Sequence, residues 1–282
     1  MLIFDKQADL VAHIKALSNQ QTTIGFVPTM GALHKGHLSL LETSTQANNL
    51  TVISIFVNPT QFNNPEDLLK YPRTLENDVK LIAGVSADIL VYAPSVEDVY
   101  LGNTSAENYD FDGLDQVMEG AFRPGHFNGV GTVVKRLFEI VQPTRAYFGE
   151  KDFQQLQIVK KLVEKLQLPL QIIACPIYRE DNGLAMSSRN ERLSRDERTQ
   201  AAIIYQTLLA AKEQFAKQPV SVVIDWVHQQ FENHPLFTLE YFEIADEDQL
   251  KPCVLKESEK KYRAFIAVFA NNIRLIDTIS LN

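Results

Sequence analysis

Two histidines three residues apart, His34 and His37, stand among glycines in the stretch GFVPTMGALHKGHLSL (25 to 40), where an apolar strand-like run ends at Pro28 and helical periodicity begins. At the mouth of a helix both rings can face one ligand. The glycines let backbone approach an anion, and the helix N-terminus adds positive potential. Imidazoles so placed, neutral or protonated, would stabilise negative charge developing on a phosphoryl group. The segment from Gly31 to Leu38 has the glycine spacing of a phosphate-cradling loop, but His37 stands where lysine belongs and Leu38 where Ser or Thr would reach magnesium. The spacing also suits a metal, although no Cys or acidic residue in the segment completes a ligand set. A plainer use is one histidine capping the turn and the other facing solvent.

Three further segments carry chemistry. FVNPTQF (56 to 62) offers the amides of Asn58 and Gln61, suited to hydroxyls and carboxylates, on a loop stiffened by Pro59. YFGEKDFQQL (147 to 156) sets Lys151 as a point charge for phosphates beside Asp152, which can cap a helix, hold a ribose hydroxyl or meet a magnesium-bound water. Gln154 and Gln155 follow, as ligands or as ordinary first-turn residues. MSSRN (186 to 190) joins two hydroxyls to a guanidinium in a loop fit to clamp phosphate. RPGHFNGVG (123 to 131) is glycine-rich before a helix without being a dinucleotide fingerprint. The chain has no GxSxG elbow and no HExxH, so covalent-serine and zinc-hydrolase chemistry find no support.

The stretch at 25–40, FVNPTQF and YFGEKDFQQL each follow a predicted strand, and MSSRN lies just past the expected domain boundary. Strand patterns at 22–27, 51–57, 87–92, 145–148 and 170–174 alternate with helical patterns at 8–17, 36–48, 75–83, 129–141 and 152–167. That alternation predicts an α/β fold, a Rossmann-like doubly wound parallel sheet with helices on both faces. Ligands in such sheets bind beyond the C-terminal strand ends. After Pro176 two helices (195–217 and 220–233) precede three strands (238–244, 262–269 and 273–279), a smaller α+β unit. The expected domains are 1–176 and 177–282, joined by a hinge near 176–186.

Composition bounds the rest. The 282 residues are 45 % hydrophobic and 22 % charged, an ordinary globular balance able to fill a core without staples. A formal charge of −8 argues against a general nucleic-acid surface but leaves room for a small anion held by local cations and helix N-termini. No run nears membrane-spanning length, and the first residues lack a signal-peptide pattern, so a cytoplasmic protein is expected. Cys175 and Cys253 have no metal or redox spacing and are expected as buried fillers.

Together the segments resemble the pantoate–β-alanine ligase family. His34-Lys-Gly-His37 is similar to the HxGH motif of the nucleotidyltransferase superfamily, and Met186-Ser-Ser-Arg189 to its KMSKS-type loop. PTMGALHKGH (28 to 37), FVNPTQF, YPRT (71 to 74), RPGHFNGV, YFGEKDFQQL and SSRN follow in family order across residues 25 to 190. The resemblance implies a two-step ligation in which pantoate attacks the α-phosphorus of ATP, giving pantoyl adenylate and pyrophosphate, and β-alanine then displaces AMP. It implies His37, His34, Lys151, Ser187, Ser188 and Arg189 as the groups serving the reacting phosphates. Met30, Gly31, Ala32, Leu33, Lys35 and Gly36 would join the histidines in the ATP site, with Gly149, Glu150, Lys151, Asp152, Tyr178 and Met186. Pro28, Met30, Asn58, Gln61 and Gln155 would bind pantoate, Gln61 also lying near β-alanine. Asp78 would neighbour Mg2+, and the chain would form a homodimer. The alternatives are another HxGH nucleotidyltransferase, acting on a phosphate acceptor, and a nucleotide-binding regulator that has lost catalysis. A cation-lined acceptor pocket would mark the first, and absence of turnover the second.

Overall fold

The computed structural model describes residues 1–63 and 65–282. In chain order the elements are β1 (Ile3–Phe4), α1 (Gln7–Leu17), β2 (Ile24–Thr29), α2 (Lys35–Ala47), β3 (Leu50–Ile55), α3 (Pro65–Lys70), α4 (Leu75–Val85), β4 (Leu90–Tyr92), α5 (Val96–Tyr100), α6 (Met118–Phe122), α7 (His126–Val141), β5 (Arg145–Gly149), α8 (Phe153–Lys165) and β6 (Gln171–Cys175). The strands form one parallel sheet in the order β1-β4-β3-β2-β5-β6. Alternate strand residues feed two apolar layers, as the pleat requires. Phe26, Val52, Leu90 and Phe148 pack with α1, α7 and α8, while Val27, Ile53, Val91 and Tyr147 pack with α2 and α4. Burial on both faces explains the continuous apolar run of β3.

From β2 the chain moves outward to β3 and β4, then returns to place β5 on the other flank. This reversal opens a crevice beyond the C-terminal ends of β2 and β5. The strand expected to end before Pro28 runs on to Thr29. Its partner β5 pairs only at Gly25 and Phe26, so at Pro28 the ladder has β3 alone as neighbour, and a residue without N–H is tolerated.

The C-terminal elements are α9 (Arg195–Gln200), α10 (Ala202–Phe215), α11 (Val220–Phe231), β7 (Phe237–Asp246), β8 (Tyr262–Ala270) and β9 (Ile273–Ser280). The strands make an antiparallel sheet in the order β7-β8-β9. Where one helix was predicted over 195–217, two are found, meeting at Ala201. The direction of α9 is set by its own capping box, Ser194 with Glu197, and by Arg198, whose guanidinium donates to Glu180 at 2.8 and 3.0 Å. One face of the small sheet packs on α10 and α11 through Ile244, Ile266, Val268 and Leu275. From the other, Phe265 meets Phe153 of α8, ring centroids 6.0 Å apart. Polar contacts frame that seam: Arg274 donates to both oxygens of Glu119 at 2.7 Å, and the Tyr241 hydroxyl donates to Glu119 at 2.9 Å.

The segment after β6 is fastened to the C-terminal elements. Arg179 and Ala185 form an antiparallel bridge. Arg179 donates to the buried carboxylate of Asp277 at 2.6 and 3.0 Å and lies 3.7 Å over the Tyr205 ring. Asn190 donates to Glu180 at 2.7 Å. Residues 178–190 thus form a braced hairpin, and Pro176 and Ile177 are the connection before it.

Candidate active site

The crevice holds a cavity of about 250 Å3. Its first wall comes from the turn after β2, where Gly31 and Ala32 take successive left-handed conformations at φ 81° and 51°. Glycine adopts this freely and alanine at a cost. The turn delivers His34 as N-cap of α2. The His34 Nδ1 accepts the Gly36 N–H at 3.2 Å, and the His37 Nδ1 accepts the His34 N–H at 3.3 Å. The rings lie 4.0 Å apart, and both line the cavity. Because each Nδ1 accepts, the neutral ring must carry its proton on Nε2, leaving two Nε2–H donors.

Burial, reinforced by the Lys151 charge, pushes His34 down to about 4. Burial, reinforced by His34, pushes His37 down to about 3. The rings are therefore neutral donors at physiological pH. His126, held down to about 4 by burial and then by Arg123, is neutral as well. Its Nδ1 lies 2.8 Å from the Gln61 carbonyl oxygen, which can only accept, so this ring carries its proton on Nδ1, the opposite tautomer. The unfolded chain takes up protons at these histidines as pH falls through about 6.5, whereas the folded chain does not until about 4 or 3. The stability they contribute is complete above 6.5 and drains away as pH falls toward the folded values. Melting curves should show Tm falling between about pH 6.5 and 4, and His126→Gln should flatten part of that slope.

The far wall is built by α7 and the single 3-10 turn Pro59–Gln61. Asn58, 1 % exposed, is fully engaged. Its Oδ1 accepts from the Tyr100 hydroxyl at 2.6 Å and the Thr60 hydroxyl at 3.1 Å, and its Nδ2 donates to Gln61 Oε1 and the Gly129 carbonyl, both at 3.2 Å. Asn58 therefore sets the pose of Gln61, whose Nε2 donates to the Met30 sulfur at 3.3 Å. Val130, Val133, Val134 and Leu137 of α7 supply an apolar surface beside these amides.

At the end of β5, Lys151, Asp152 and Gln155 line the cavity. The Lys151 Nζ sits 3.4 Å from Asp152 Oδ2. Burial works to raise the Asp152 carboxyl, but Lys151 and Arg189 outweigh it and hold it below its ordinary range. The adjacent glutamines divide: Gln155 faces the cavity, while Gln154 is buried and its Nε2 donates to the carbonyls of Leu114 and Val117 at 2.7 and 2.8 Å. The last wall is Tyr178 with Met186, Ser187, Ser188 and Arg189, carried by the braced hairpin. Burial raises the Tyr71 phenol above its ordinary value, against the opposing pull of Arg189 and a hydrogen bond with Ser188.

Most residues singled out in the sequence thus meet around one cavity, Pro28, Met30, Gly36 and Gly149 among them. Gly31, Ala32, Leu33 and Lys35 do not line it; they form the turn and helix start behind the histidines. Glu150 faces away and pairs with Arg263 at 3.3 Å. The carboxylate of Asp78 is buried against the backbone of the Gly31–Leu33 turn. Tyr71 was missed as a site residue although its YPRT segment was noticed. The valines of α7 were missed because an apolar helical stripe reads as core.

The sequence model for pantoate-beta-alanine ligase matches residues 2–280. The chain belongs to the pantoate–β-alanine ligase family. It is an enzyme, a ligase of pantothenate biosynthesis, and its relatives extend along its whole length. A pantothenate synthetase from Flavobacterium psychrophilum is 62 % identical over all of both chains. Among solved structures, pantothenate synthetase from Thermus thermophilus superposes with a TM-score of 0.90 at 39 % identity, covering 100 % of this chain and 99 % of that one. The pantoate-beta-alanine ligase from Francisella tularensis, complexed with beta-gamma ATP and beta-alanine, gives 0.79 at 33 % identity, covering 100 % and 98 %. The ligase fold, a parallel six-stranded sheet with a small antiparallel sheet behind it, is therefore shared with both. Among the described residues, no helix is long and apolar enough to cross a membrane.

Proposed function

We propose that this ligase joins pantoate to β-alanine with ATP, by way of pantoyl adenylate. One observation carries the reading: two imidazole Nε2–H donors, Lys151 and the Ser187–Arg189 loop face the same cavity as Gln61, Gln155 and the apolar stripe of α7. The first set suits the phosphates of a nucleotide. The second suits a small branched hydroxy acid, with amides for its polar groups and valines for its methyls. The beta-gamma ATP and beta-alanine with which the Francisella relative is complexed support it.

In the first step a pantoate carboxylate oxygen bonds to the α-phosphorus as the bond to the bridging oxygen breaks, and pyrophosphate leaves. His34, His37, Lys151 and Arg189 stabilise the charge that builds on those oxygens, with Ser187 and Ser188 donating. No side-chain nucleophile is needed, so the protein's main work is alignment. In the second step the β-alanine nitrogen attacks the acyl carbon, the bond to AMP breaks, and the amine proton passes to solvent. Met30, Gly36, Gly149, Asp152, Tyr178 and Met186 complete the nucleotide site, Asp152 at the ribose. Pro28, Met30, Gln61 and Gln155 hold pantoate, with Asn58 fixing Gln61. Among the described residues no cluster of three or more His, Cys, Asp or Glu side chains is arranged to hold a metal. We accordingly place magnesium with the substrate, as MgATP.

In this reading residues 1–176 bind both substrates and 177–282 close over them. The hinge we place at Pro176 and Ile177, because Arg179 and Glu180 just beyond them are tied to Asp277 and Arg198 of the C-terminal elements. A cytoplasmic location, expected from the sequence, and a homodimer, as the resemblance implies, belong to the same proposal.

The test is pyrophosphate release from ATP with pantoate, with and without β-alanine, beside a panel of phosphate-bearing acceptors. Pyrophosphate with pantoate alone, and AMP with a new amide only once β-alanine is added, is the expected result. Release with a phosphate acceptor but not with pantoate would overturn it.

A further inference from the structure

Asp78 is fully buried at the start of α4, and no ion pair to it is found among the described residues. Its carboxylate is instead satisfied by backbone and hydroxyl donors. Oδ2 accepts the Ala32 N–H at 3.1 Å, Oδ1 accepts the Leu33 N–H at 2.8 Å, and the Thr74 hydroxyl lies 3.3 Å from each oxygen. Burying a carboxylate is costly unless such donors converge on it. The two amides belong to the left-handed turn at Gly31 and Ala32, a conformation that alanine resists and that needs an external anchor. His34 follows Leu33 directly.

We propose that Asp78 is a positioning residue for the two histidines: by clasping the Ala32 and Leu33 amides it fixes the turn from which His34 and His37 reach the cavity, and it does not ligate magnesium. The idea rests on the reading of both rings as donors to ATP. A carboxylate is required because both neighbours are donors. Asparagine has the same shape, but its amide nitrogen would face one of the two N–H groups and orphan it.

The experiment compares the wild type with Asp78→Asn and with the milder Thr74→Val, which removes only the supporting hydroxyl and keeps the test open if Asp78→Asn does not fold. Three quantities are read: kcat and KM for pantoate-dependent pyrophosphate release, the magnesium concentration giving half-maximal rate, and the imidazole 15N signals of His34 and His37. Asp78→Asn should lower kcat about a hundredfold, the scale of an ångström-sized misplacement. KM for pantoate and the magnesium requirement should stay near wild type, and the Nε2–H signature of both rings should be lost or broadened. Thr74→Val should move the same signals less and cost only a few-fold in kcat. Folded Asp78→Asn with wild-type kcat and unmoved ring signals would overturn the proposal. So would a large rise in magnesium requirement with the ring signals in place, which would make Asp78 a metal ligand. The ring signals need no turnover. A wild type that releases no pyrophosphate with pantoate therefore defeats the functional reading, and the ring signals alone then decide whether Asp78 fixes the two histidines.

Discussion

Gly129→Ala should cost the ligase at least about a hundredfold in kcat/KM for pantoate, together with about 1–3 kcal/mol of stability. A Cβ at position 129 would fall 2.2 Å from the Thr60 carbonyl oxygen, 2.5 Å from its carbon and 2.7 Å from the Gln61 Cα. All three are backbone atoms, so no rotamer relieves the clash. The turn Pro59–Gln61 would have to lift off α7. Gln61 would go with it, breaking the 3.2 Å bond from Asn58 to the Gly129 carbonyl and the 2.8 Å bond from His126 to the Gln61 carbonyl. Gly84, on the exposed side of α4 with no atom within 4 Å of its would-be Cβ, is the control. Gly84→Ala should leave activity alone and stabilise by up to about 1 kcal/mol. Steady-state kinetics and urea melts of the two variants measure both effects; a Gly129→Ala enzyme with wild-type kcat/KM for pantoate would refute the assignment of Gln61.

His37→Ala should reduce the rate of adenylate formation by about 10²–10³ while shifting stability by only about 1 kcal/mol. The asymmetry follows from the two faces of the ring. Nδ1 accepts one N–H at a helix start, which water can replace, whereas Nε2–H points charge-stabilising polarity into a confined cavity. His37→Gln restores a donor of similar reach and should recover part of the loss. Rapid-quench measurement of pantoyl adenylate separates this step from amide formation. Equal losses of stability and rate would mean that the ring serves the fold alone. Because the ring titrates near 3, protonating it is not part of the working cycle, and the rate should show no inflection from His37 above about pH 5.

What the sequence revealed follows how local each interaction is. The buried run of β3 and the stripe of α7 announce themselves by periodicity, and the segments after strands announce the crevice, because the topology of a parallel sheet leaves ligands one place to bind. Two-residue β1 and the five-residue helices α5 and α6 carry too few residues for a period to appear and are set by tertiary packing. Glu150 and Lys151 illustrate a second limit. They are neighbours in one motif, yet one turns to Arg263 and the other to the cavity, and only the path of the 3-10 turn between β5 and α8 decides which. The glycines of RPGHFNGVG match no ligand-binding fingerprint, and their spacing alone gave them no role. Gly129 instead admits another part of the backbone, 69 residues distant in sequence, which no local pattern encodes.

Asn58 also shapes how the enzyme can diversify. Aspartate there has no donor for Gly129 or Gln61, leucine strands the hydroxyls of Tyr100 and Thr60, and glutamine is one methylene too long for a side chain 1 % exposed. Each of these replacements leaves a polar group unpaired or overfills the site, so changing Asn58 requires several partners to change at once. New acid preferences are reached more easily across the cavity, where Val130, Val134 and Leu137 can exchange volume without leaving a polar atom bereft. The amide end of the cavity is thus its rigid end, and the aliphatic end carried by one helix is the one free to be reshaped.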